Sequence, residues 1–278
     1  MALELRVFRS TWGLDRPLGP SLERVAAAGF DGIEVLVPPF PPDEPQELRS
    51  LIVQSGLEPI TLILAFTADR DAYRRTIETA LEYSPRQVTS HTAPDWLSDE
   101  EALDFLDFTL ELEREYGVDI NHETHRGHLF NTPWQTARLL RARPQLHLAA
   151  DYSHWVVVAE RLLEDRGEDI ALANRHARHV HARVAHPQAV QVNDPRAPEH
   201  AEAVSAFEGW WKDLFRARAA AGAERITVTP EYGPPPYMPV RPYTQEPESD
   251  LWDVCVWGQA QVRRLFVEAM DEGASGGA

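Results

Sequence analysis

The sequence predicts a (β/α)₈ TIM barrel folded as a single domain. Strand-like and helix-like segments alternate along the 278 residues, and eight such units can be counted. The length is close to the roughly 250 residues typical of this barrel. Residues 8–13, at the end of the first predicted strand, read Phe-Arg-Ser-Thr-Trp-Gly and lack the glycine-rich fingerprint of an open dinucleotide-binding sheet. The closed barrel is therefore favoured over the open doubly wound sheet.

Each predicted element follows from its side-chain pattern. Ser98 is expected to cap the fourth helix, and Gly29, Gly56, Gly117 and Gly222 stand where left-handed helix stops are expected. Proline-rich loops lengthen the second and eighth connections. Short β-branched or apolar runs predict strands at 5–8, 33–37, 57–64, 87–90, 118–121, 146–150, 179–184 and 226–229. Helical spacing predicts helices at 21–28, 45–55, 69–82, 98–116, 133–141, 156–176, 199–221 and 250–270.

The barrel is expected to span residues 1–270, and the small, polar residues 271–278 are expected to form a disordered tail. Lys and Arg total 27 against 44 Asp and Glu, which gives a formal net charge of −17. Such a surface repels nucleic-acid backbones and anionic lipid, so neither nucleic acid nor a membrane is an expected partner. A few local arginines can still reverse the field inside one pocket, which leaves a small phosphorylated substrate open.

Cysteine usage and the N-terminal residues indicate a cytoplasmic protein. Cys255 is the only cysteine, so the chain can form neither an intrachain disulfide nor a cysteine-rich zinc site. The first residues, Met-Ala-Leu-Glu-Leu-Arg-Val, carry an acid where a secretory peptide would be apolar. No stretch approaches the roughly 20 apolar residues that span a bilayer.

Polar side chains concentrate after the last four predicted strands, where barrel enzymes place catalytic residues. Glu123, Asp151 and Glu231 stand at the ends of the fifth, sixth and eighth strands, and His179 and His181 lie in the seventh. Three carboxylates and an imidazole at one barrel mouth repel one another unless a cation neutralises them, so we expect one divalent metal ion. Oxygen and nitrogen donors without thiolate favour Mn²⁺, with Mg²⁺, Co²⁺ or Zn²⁺ as alternatives. Strand alternation puts both histidines on one face, so spacing does not decide between them.

These residues resemble those of the xylose isomerase-like TIM barrels, which include ketose 3-epimerases, hydroxypyruvate isomerase and, more distantly, endonuclease IV. The resemblance covers most of the chain. It rests on the Asp-x-x-His at Asp151 and His154, followed about thirty residues later by the His-x-His at His179 and His181, between two strand-terminal glutamates. In the epimerases the second histidine of such a pair is the metal ligand. The ligands that the resemblance implies are therefore Glu123, Asp151, His181 and Glu231.

The resemblance also implies a reaction. Glu123 and Glu231 would act as acid and base, moving a proton between the two faces of a small sugar, keto-sugar or sugar phosphate through a metal-stabilised enediolate. His154 would bind the substrate. The resemblance further implies a small carbohydrate as partner and a homodimer that pairs through helical faces.

The sequence departs from the epimerases at one substrate-binding position. Their arginine several residues after the metal histidine is missing, because Pro187 lies in that area, and Arg183 or Arg196 are the candidates to replace it. Other candidates for the substrate pocket, chosen from their positions near strand ends, are His91, His125, Trp12 and Glu34, with His128 as an alternative to His125. Each of these residues has a structural alternative. His91 could be a hydrogen-bonded structural histidine, and His125 and His128 could be solvent-exposed loop residues. Trp12 could pack at the barrel rim, and Glu34 could form a surface ion pair.

Three further functions compete with the isomerase or epimerase. A lyase or dehydratase would share the first steps, after which the enediolate expels a β-substituent. A phosphodiesterase of the endonuclease IV type would share the Asp-x-x-His, but it needs several metals and a basic DNA face, against which the charge of −17 argues. A non-catalytic binding protein would hold the metal without an open coordination position.

Overall fold

Eight parallel strands close into a barrel in sequence order, with the last strand paired to the first. The computed structural model describes residues 2–37 and 45–275. The proline-rich part of the second connection and the last three residues of the predicted tail lie outside the described residues. The predicted fold class, a single TIM-barrel domain, is confirmed.

The strands are β1 (Glu4–Ser10), β2 (Gly32–Val37), β3 (Glu58–Leu64), β4 (Gln87–His91), β5 (Asp119–Glu123), β6 (His147–Ala150), β7 (Ala177–His181) and β8 (Arg225–Thr229). The helices are α1 (Leu18–Ala27), α2 (Pro45–Gln54), α3 (Arg70–Leu81), α4 (Asp99–Tyr116), α5 (Pro133–Ala142), α6 (Tyr152–Ala159), α7 (Gly167–His176), α8 (Ala201–Ala220) and α9 (Leu251–Ser275). A short 3₁₀ turn, Pro198–His200, precedes α8.

Local sequence sets where the helices begin and end. The predicted cap at Ser98 is confirmed: its hydroxyl accepts from the backbone N–H of Glu101 at 3.3 Å, and Glu101 accepts from the Ser98 backbone at 2.9 Å. Gly117 ends α4 in the left-handed conformation, with φ 64°. Among the helices of the described residues, none combines the length and apolar character that crossing a membrane requires.

The helix predicted at 156–176 is wrong, because this segment forms two helices. α6 starts directly after Asp151, which caps it, and ends at Glu160 in a left-handed conformation with φ 53°. Leu163 is also left-handed and is 1% exposed, so the chain turns to bury this side chain before α7 begins. Neither of these two positions is Gly or Pro, the residues that usually mark a turn. The helical periodicity therefore gave no sign of the break between the two helices.

Two other predicted boundaries are corrected. β7 ends at His181 rather than at residue 184, because the backbone N–H of Arg183 bonds back to the His181 carbonyl at 3.1 Å. α9 continues to Ser275, beyond the predicted end at residue 270. The first correction matters for the site, since the turn after His181 brings Arg183 back over the barrel mouth.

Alternation along the strands separates two environments. Apolar side chains such as Ile33, Val35 and Val180 are buried in the main hydrophobic core, whereas Glu34 and His181 lie buried within hydrogen-bonding distance of each other although they come from β2 and β7. The barrel interior is therefore polar near the carboxyl ends of the strands.

Candidate metal and active site

Four side chains converge at the carboxyl ends of the last four strands. Glu123 ends β5, Asp151 follows β6, His181 ends β7, and Glu231 follows β8. One ligand atom from each lies within 4.8 Å of those from the other three, and all four residues are buried. His181 is central, because its Nδ1 lies 3.2 Å from Glu123 Oε1 and 3.3 Å from Glu231 Oε2.

Glu34 fixes the orientation of the central imidazole. Its two carboxylate oxygens each lie 3.1 Å from His181 Nε2, and they are fully buried. A proton on Nε2 satisfies this carboxylate and leaves Nδ1 facing the other three side chains, an arrangement common for histidines that bind metals. Glu34 also accepts from the Thr89 hydroxyl at 3.1 Å. Glu34, a candidate for the substrate pocket, does not line the cavity; it lies buried in the barrel interior against His181, and it does not form the surface ion pair that was the alternative.

His179 does not reach the cluster formed by Glu123, Asp151 and Glu231. Its Nδ1 bonds with the Thr227 hydroxyl at 2.7 Å, and its Nε2 lies 3.4 Å from Glu34. The two histidines share a face of β7, as their spacing predicts, but His179 lies one layer deeper in the barrel. Geometry thus selects His181 as the histidine that faces the three carboxylates.

Backbone contacts hold Asp151 in place. The Thr124 hydroxyl donates to the Asp151 carbonyl at 2.8 Å and accepts from its N–H at 2.7 Å. Asp151 Oδ1 accepts from the Ser153 N–H at 2.9 Å, so this carboxylate caps α6 as well as facing the cluster. Asp151 therefore combines helix capping with a position in the cluster.

Arg183 is the permanent cation of the site. Its buried guanidinium makes a short contact with the Asp151 carboxylate, lies 3.3 Å from Glu231 Oε2, and donates to the Glu231 carbonyl at 3.0 Å. It also donates to His154 Nε2 at 3.0 Å. The guanidinium lines the cavity, as expected of a substrate-binding candidate. The alternative, Arg196, pairs with Asp194 on an exposed segment.

Burial and close charges shift the pKa values of Glu123, Glu231 and His181. Burial opposes ionisation of Glu123, but His91 and His181 more than offset it and lower its pKa. Burial raises the pKa of Glu231 to about 8, even though His181 and Arg183 act in the opposite direction. For His181, burial opposes protonation, yet Glu231, Glu34 and Glu123 raise its pKa well above the ordinary value.

The donor atoms fit a divalent cation. The Glu123 carboxylate and Nδ1 of His181 are buried, and although His91 Nε2 lies 2.6 Å and His181 Nδ1 lies 3.2 Å from the Glu123 oxygens, neither contact has the geometry of a hydrogen bond. Buried polar atoms in proteins are nearly always satisfied, so donor atoms that face one another in this way suit a cation bound between them. Oxygen donors with a single nitrogen suit Mn²⁺ or Mg²⁺.

A cavity of about 200 Å³ opens onto this cluster. Trp12 and Tyr237 form part of its wall, with ring centroids 4.8 Å apart in an edge-to-face contact. Leu36, Leu62 and Leu64 supply an apolar wall, while Glu123, Glu231, His91, His125 and Arg183 supply the polar lining. Cavities of this kind are the usual places for small ligands. Among the predicted pocket residues, Trp12, His91, His125 and Arg183 therefore line one cavity.

His154, which the resemblance implies as a substrate-binding residue, does not line this cavity; it is packed against His125, which does. His154 is fully buried, and its ring lies 3.7 Å from that of His125, centroid to centroid. Burial lowers the pKa of both imidazoles well below the ordinary value; His125 and Arg183 add to the effect on His154, and His91 and His128 add to the effect on His125. His91 Nε2 lies 2.6 Å from Glu123 Oε2, which connects these histidines to the carboxylate cluster.

Sequence reasoning missed two residues that shape the site. Tyr237 lies in the proline-rich loop after β8, whose composition does not indicate which ring lines the cavity. Gln191 forms two hydrogen bonds with the backbone of Gly233, at 2.7 and 3.1 Å, and thereby secures the segment that carries Glu231. Gln191 lies in a loop with no local pattern that would have identified it.

Comparisons with known proteins agree with this architecture. L-ribulose 3-epimerase superposes with a TM-score of 0.63 at 17% identity, covering 99% of each chain. The probable 3-DHS dehydratase AsbF from Bacillus anthracis gives 0.57 at 14% identity, covering 94% of this chain and 98% of that one. A xylose isomerase-like TIM barrel protein from Mycobacterium smegmatis, in complex with magnesium, gives 0.60 at 14% identity, covering 90% and 88%.

At these identities the likeness concerns the fold. No curated protein matched the chain in sequence. Residues 22–249, most of the chain, match the family model of the xylose isomerase-like TIM barrel. The chain therefore belongs to the xylose isomerase-like TIM barrel family.

Proposed function

We propose that this chain is a divalent-metal-dependent isomerase or epimerase that acts on a small sugar, keto-sugar or sugar phosphate by proton transfer through an enediolate. The observation that carries the proposal is the pair of buried glutamates, Glu123 and Glu231, whose carboxylate oxygens lie 3.2 and 3.3 Å from His181 Nδ1. A reaction that removes a proton from one face of a carbon and returns it on another needs two such groups.

The residues of the chain have distinct tasks in this proposal. One of the glutamates accepts the proton from the C–H bond beside the substrate carbonyl, and the other donates a proton to the opposite face. The Arg183 guanidinium stays ionised at any working pH and holds Asp151 and Glu231 in position. Trp12 and Tyr237 close one side of the cavity and exclude water from the carbanion-like intermediate.

The ion would be held by Glu123, Asp151, His181 and Glu231. When bound, a divalent cation polarises a carbonyl and acidifies the neighbouring C–H bond. The oxygen-rich donor set supports Mn²⁺ or Mg²⁺, and the related protein from Mycobacterium smegmatis was solved with magnesium.

A dehydratase is the second candidate, and the apolar wall of the cavity favours it. A polyhydroxylated open-chain sugar needs hydrogen-bonding partners along its whole length, but Leu36, Leu62 and Leu64 offer none. A compact ring with oxygen atoms on one edge would fit this cavity better. The probable 3-DHS dehydratase AsbF shares the fold. Both reactions begin with the same proton abstraction.

Hydrogen exchange tests the proposal. The protein, loaded with Mn²⁺, is incubated in D₂O with a panel of ketoses and hydroxylated cyclic ketones, and C–H signals are followed by NMR. We expect exchange that needs the metal and disappears in Glu123→Gln. Glu58→Gln is the matched control, because Glu58 is a carboxylate at the start of β3, at the opposite end of the barrel.

The products separate the candidates. Exchange with retention of all carbon–oxygen bonds supports the isomerase or epimerase, whereas loss of water supports the dehydratase. Bound metal without exchange of any C–H bond in the panel contradicts both. Exchange that survives in Glu123→Gln contradicts the assigned role of this glutamate.

A further inference from the structure

A second cluster of metal-binding side chains lies beside the proposed metal site. His91 ends β4, and His125 and His128 lie in the loop after β5. Their ring centroids are 4.1, 5.0 and 5.1 Å apart, and one ring nitrogen from each lies within 4.8 Å of the others. His91 and His128 are buried and His125 is half-buried. The proton transfer proposed above does not use His128.

Backbone hydrogen bonds fix the tautomers of two of these rings. His125 Nδ1 lies 2.7 Å from the Arg126 carbonyl, and His128 Nδ1 lies 3.1 Å from the Ala93 carbonyl. A carbonyl can only accept, so each Nδ1 carries the proton and each neutral ring keeps its lone pair on Nε2. Imidazoles that bind metals are typically oriented in this way, by a hydrogen bond from the other nitrogen to a carbonyl.

Neighbouring groups orient the rest of the cluster. His91 contacts the Glu123 carboxylate at 2.6 Å, and the Phe66 ring packs against His128 with centroids 5.6 Å apart. The three rings are in contact, and those of His125 and His128 keep their lone pairs on Nε2 within one small volume, where a single cation can bind them.

We propose that His91, His125 and His128 bind a second divalent cation, of the borderline-soft class that includes Zn²⁺ and Co²⁺. Three imidazole nitrogen donors suit these ions better than Mn²⁺ or Mg²⁺, which favour the oxygen-rich site next to it. Three protein ligands leave one position of a tetrahedral ion free. His91 and His125 also line the cavity, so that position would be available to an oxygen atom of a bound ligand.

Cobalt titration tests this site without measuring activity. The protein is stripped with a chelator and titrated with Co²⁺; bound metal per chain is then measured by mass spectrometry after desalting, together with the visible spectrum. Tetrahedral, nitrogen-rich Co²⁺ absorbs much more strongly than octahedral, oxygen-rich Co²⁺. We expect two Co²⁺ per chain in the unmodified protein, with an intense tetrahedral band.

Matched variants assign each ion. His128→Gln and His125→Gln should each lose one equivalent and the intense band, whereas Asp151→Asn should lose the other equivalent and keep the band. His186→Gln, a histidine elsewhere in the loops that stacks on His200, is the control and should bind both ions. Thermal unfolding of the metal-free variants identifies any that fail to fold, and either cluster variant alone is sufficient for the test.

The inference is overturned if the unmodified protein binds a single ion without the tetrahedral band, or if both cluster variants retain two ions. Loss of both ions in His128→Gln would also overturn it, because the two sites would then not be separate. Failure of the proposed function looks different, since it shows as missing C–H exchange in the metal-loaded protein or as an Asp151→Asn protein that still binds both ions.

Discussion

Glu34→Gln is expected to weaken metal binding although Glu34 is not one of the four proposed ligands. Both of its oxygens lie 3.1 Å from His181 Nε2 in a fully buried environment, so the carboxylate holds a proton on Nε2 and turns Nδ1 toward the other three side chains. The amide can accept only through one oxygen, and it removes a negative charge next to the imidazole. Loss of such an orienting carboxylate typically costs about 10- to 100-fold in metal affinity, which corresponds to about 1.4–2.8 kcal/mol.

Chelator competition with Mn²⁺ measures the affinity directly. Glu58→Gln makes the same chemical change in a partly buried carboxylate at the start of β3, and it should leave the affinity unchanged. The thermal unfolding of both metal-free variants reports any general loss of stability. A Glu34→Gln protein that folds and binds Mn²⁺ within about twofold of the unmodified chain would refute the reasoning, because His181 would then be oriented without its buried partner.

Three other changes test the surroundings of the site. Gly233→Ala should reduce turnover, because the added Cβ would lie 2.1 Å from the Trp12 ring and displace it. Gly209→Ala, whose added Cβ has no neighbour within 4 Å, is the control in steady-state kinetics. Gln191→Ala removes two buried hydrogen bonds to the Gly233 backbone and should lower stability in denaturant melts by about 1–3 kcal/mol, together with kcat. Burial raises the pKa of Glu113 from 4.5 to about 7, so the folded state takes up a proton between these values and loses stability as pH rises through them. Thermal unfolding at about pH 5 and pH 8 should therefore show a larger loss of stability in the unmodified protein than in Glu113→Gln. The expected difference is about 1 kcal/mol after allowance for partial exposure. Equal losses in the two proteins would contradict the raised pKa of Glu113.

The fold and three of the four central side chains follow from position along the chain. Glu123, Asp151 and Glu231 stand at the ends of strands, and in a parallel barrel all such ends meet at one mouth. The break between α6 and α7 was not predictable in this way. It depends on the burial of Leu163 and on left-handed backbone at Glu160 and Leu163, two residue types that do not signal such a turn.

Contacts across the barrel could not be predicted from sequence patterns. His179 and His181 share a face of one strand. They differ only in their depth in the barrel, where His179 bonds with the Thr227 hydroxyl. Glu34 reaches His181 across 147 residues of sequence. No periodicity connects β2 with β7, so the residue that orients the central imidazole emerges only from the closed barrel.

The most direct test of the account is anomalous diffraction from crystals of the protein soaked in Mn²⁺. We predict a manganese peak within bonding distance of Glu123, Asp151, His181 and Glu231, with His181 bound through Nδ1 and Glu34 on its Nε2. A map without a peak among these four side chains, with Arg183 still neutralising Asp151 and Glu231, would contradict the central claim that this barrel mouth holds a divalent metal ion.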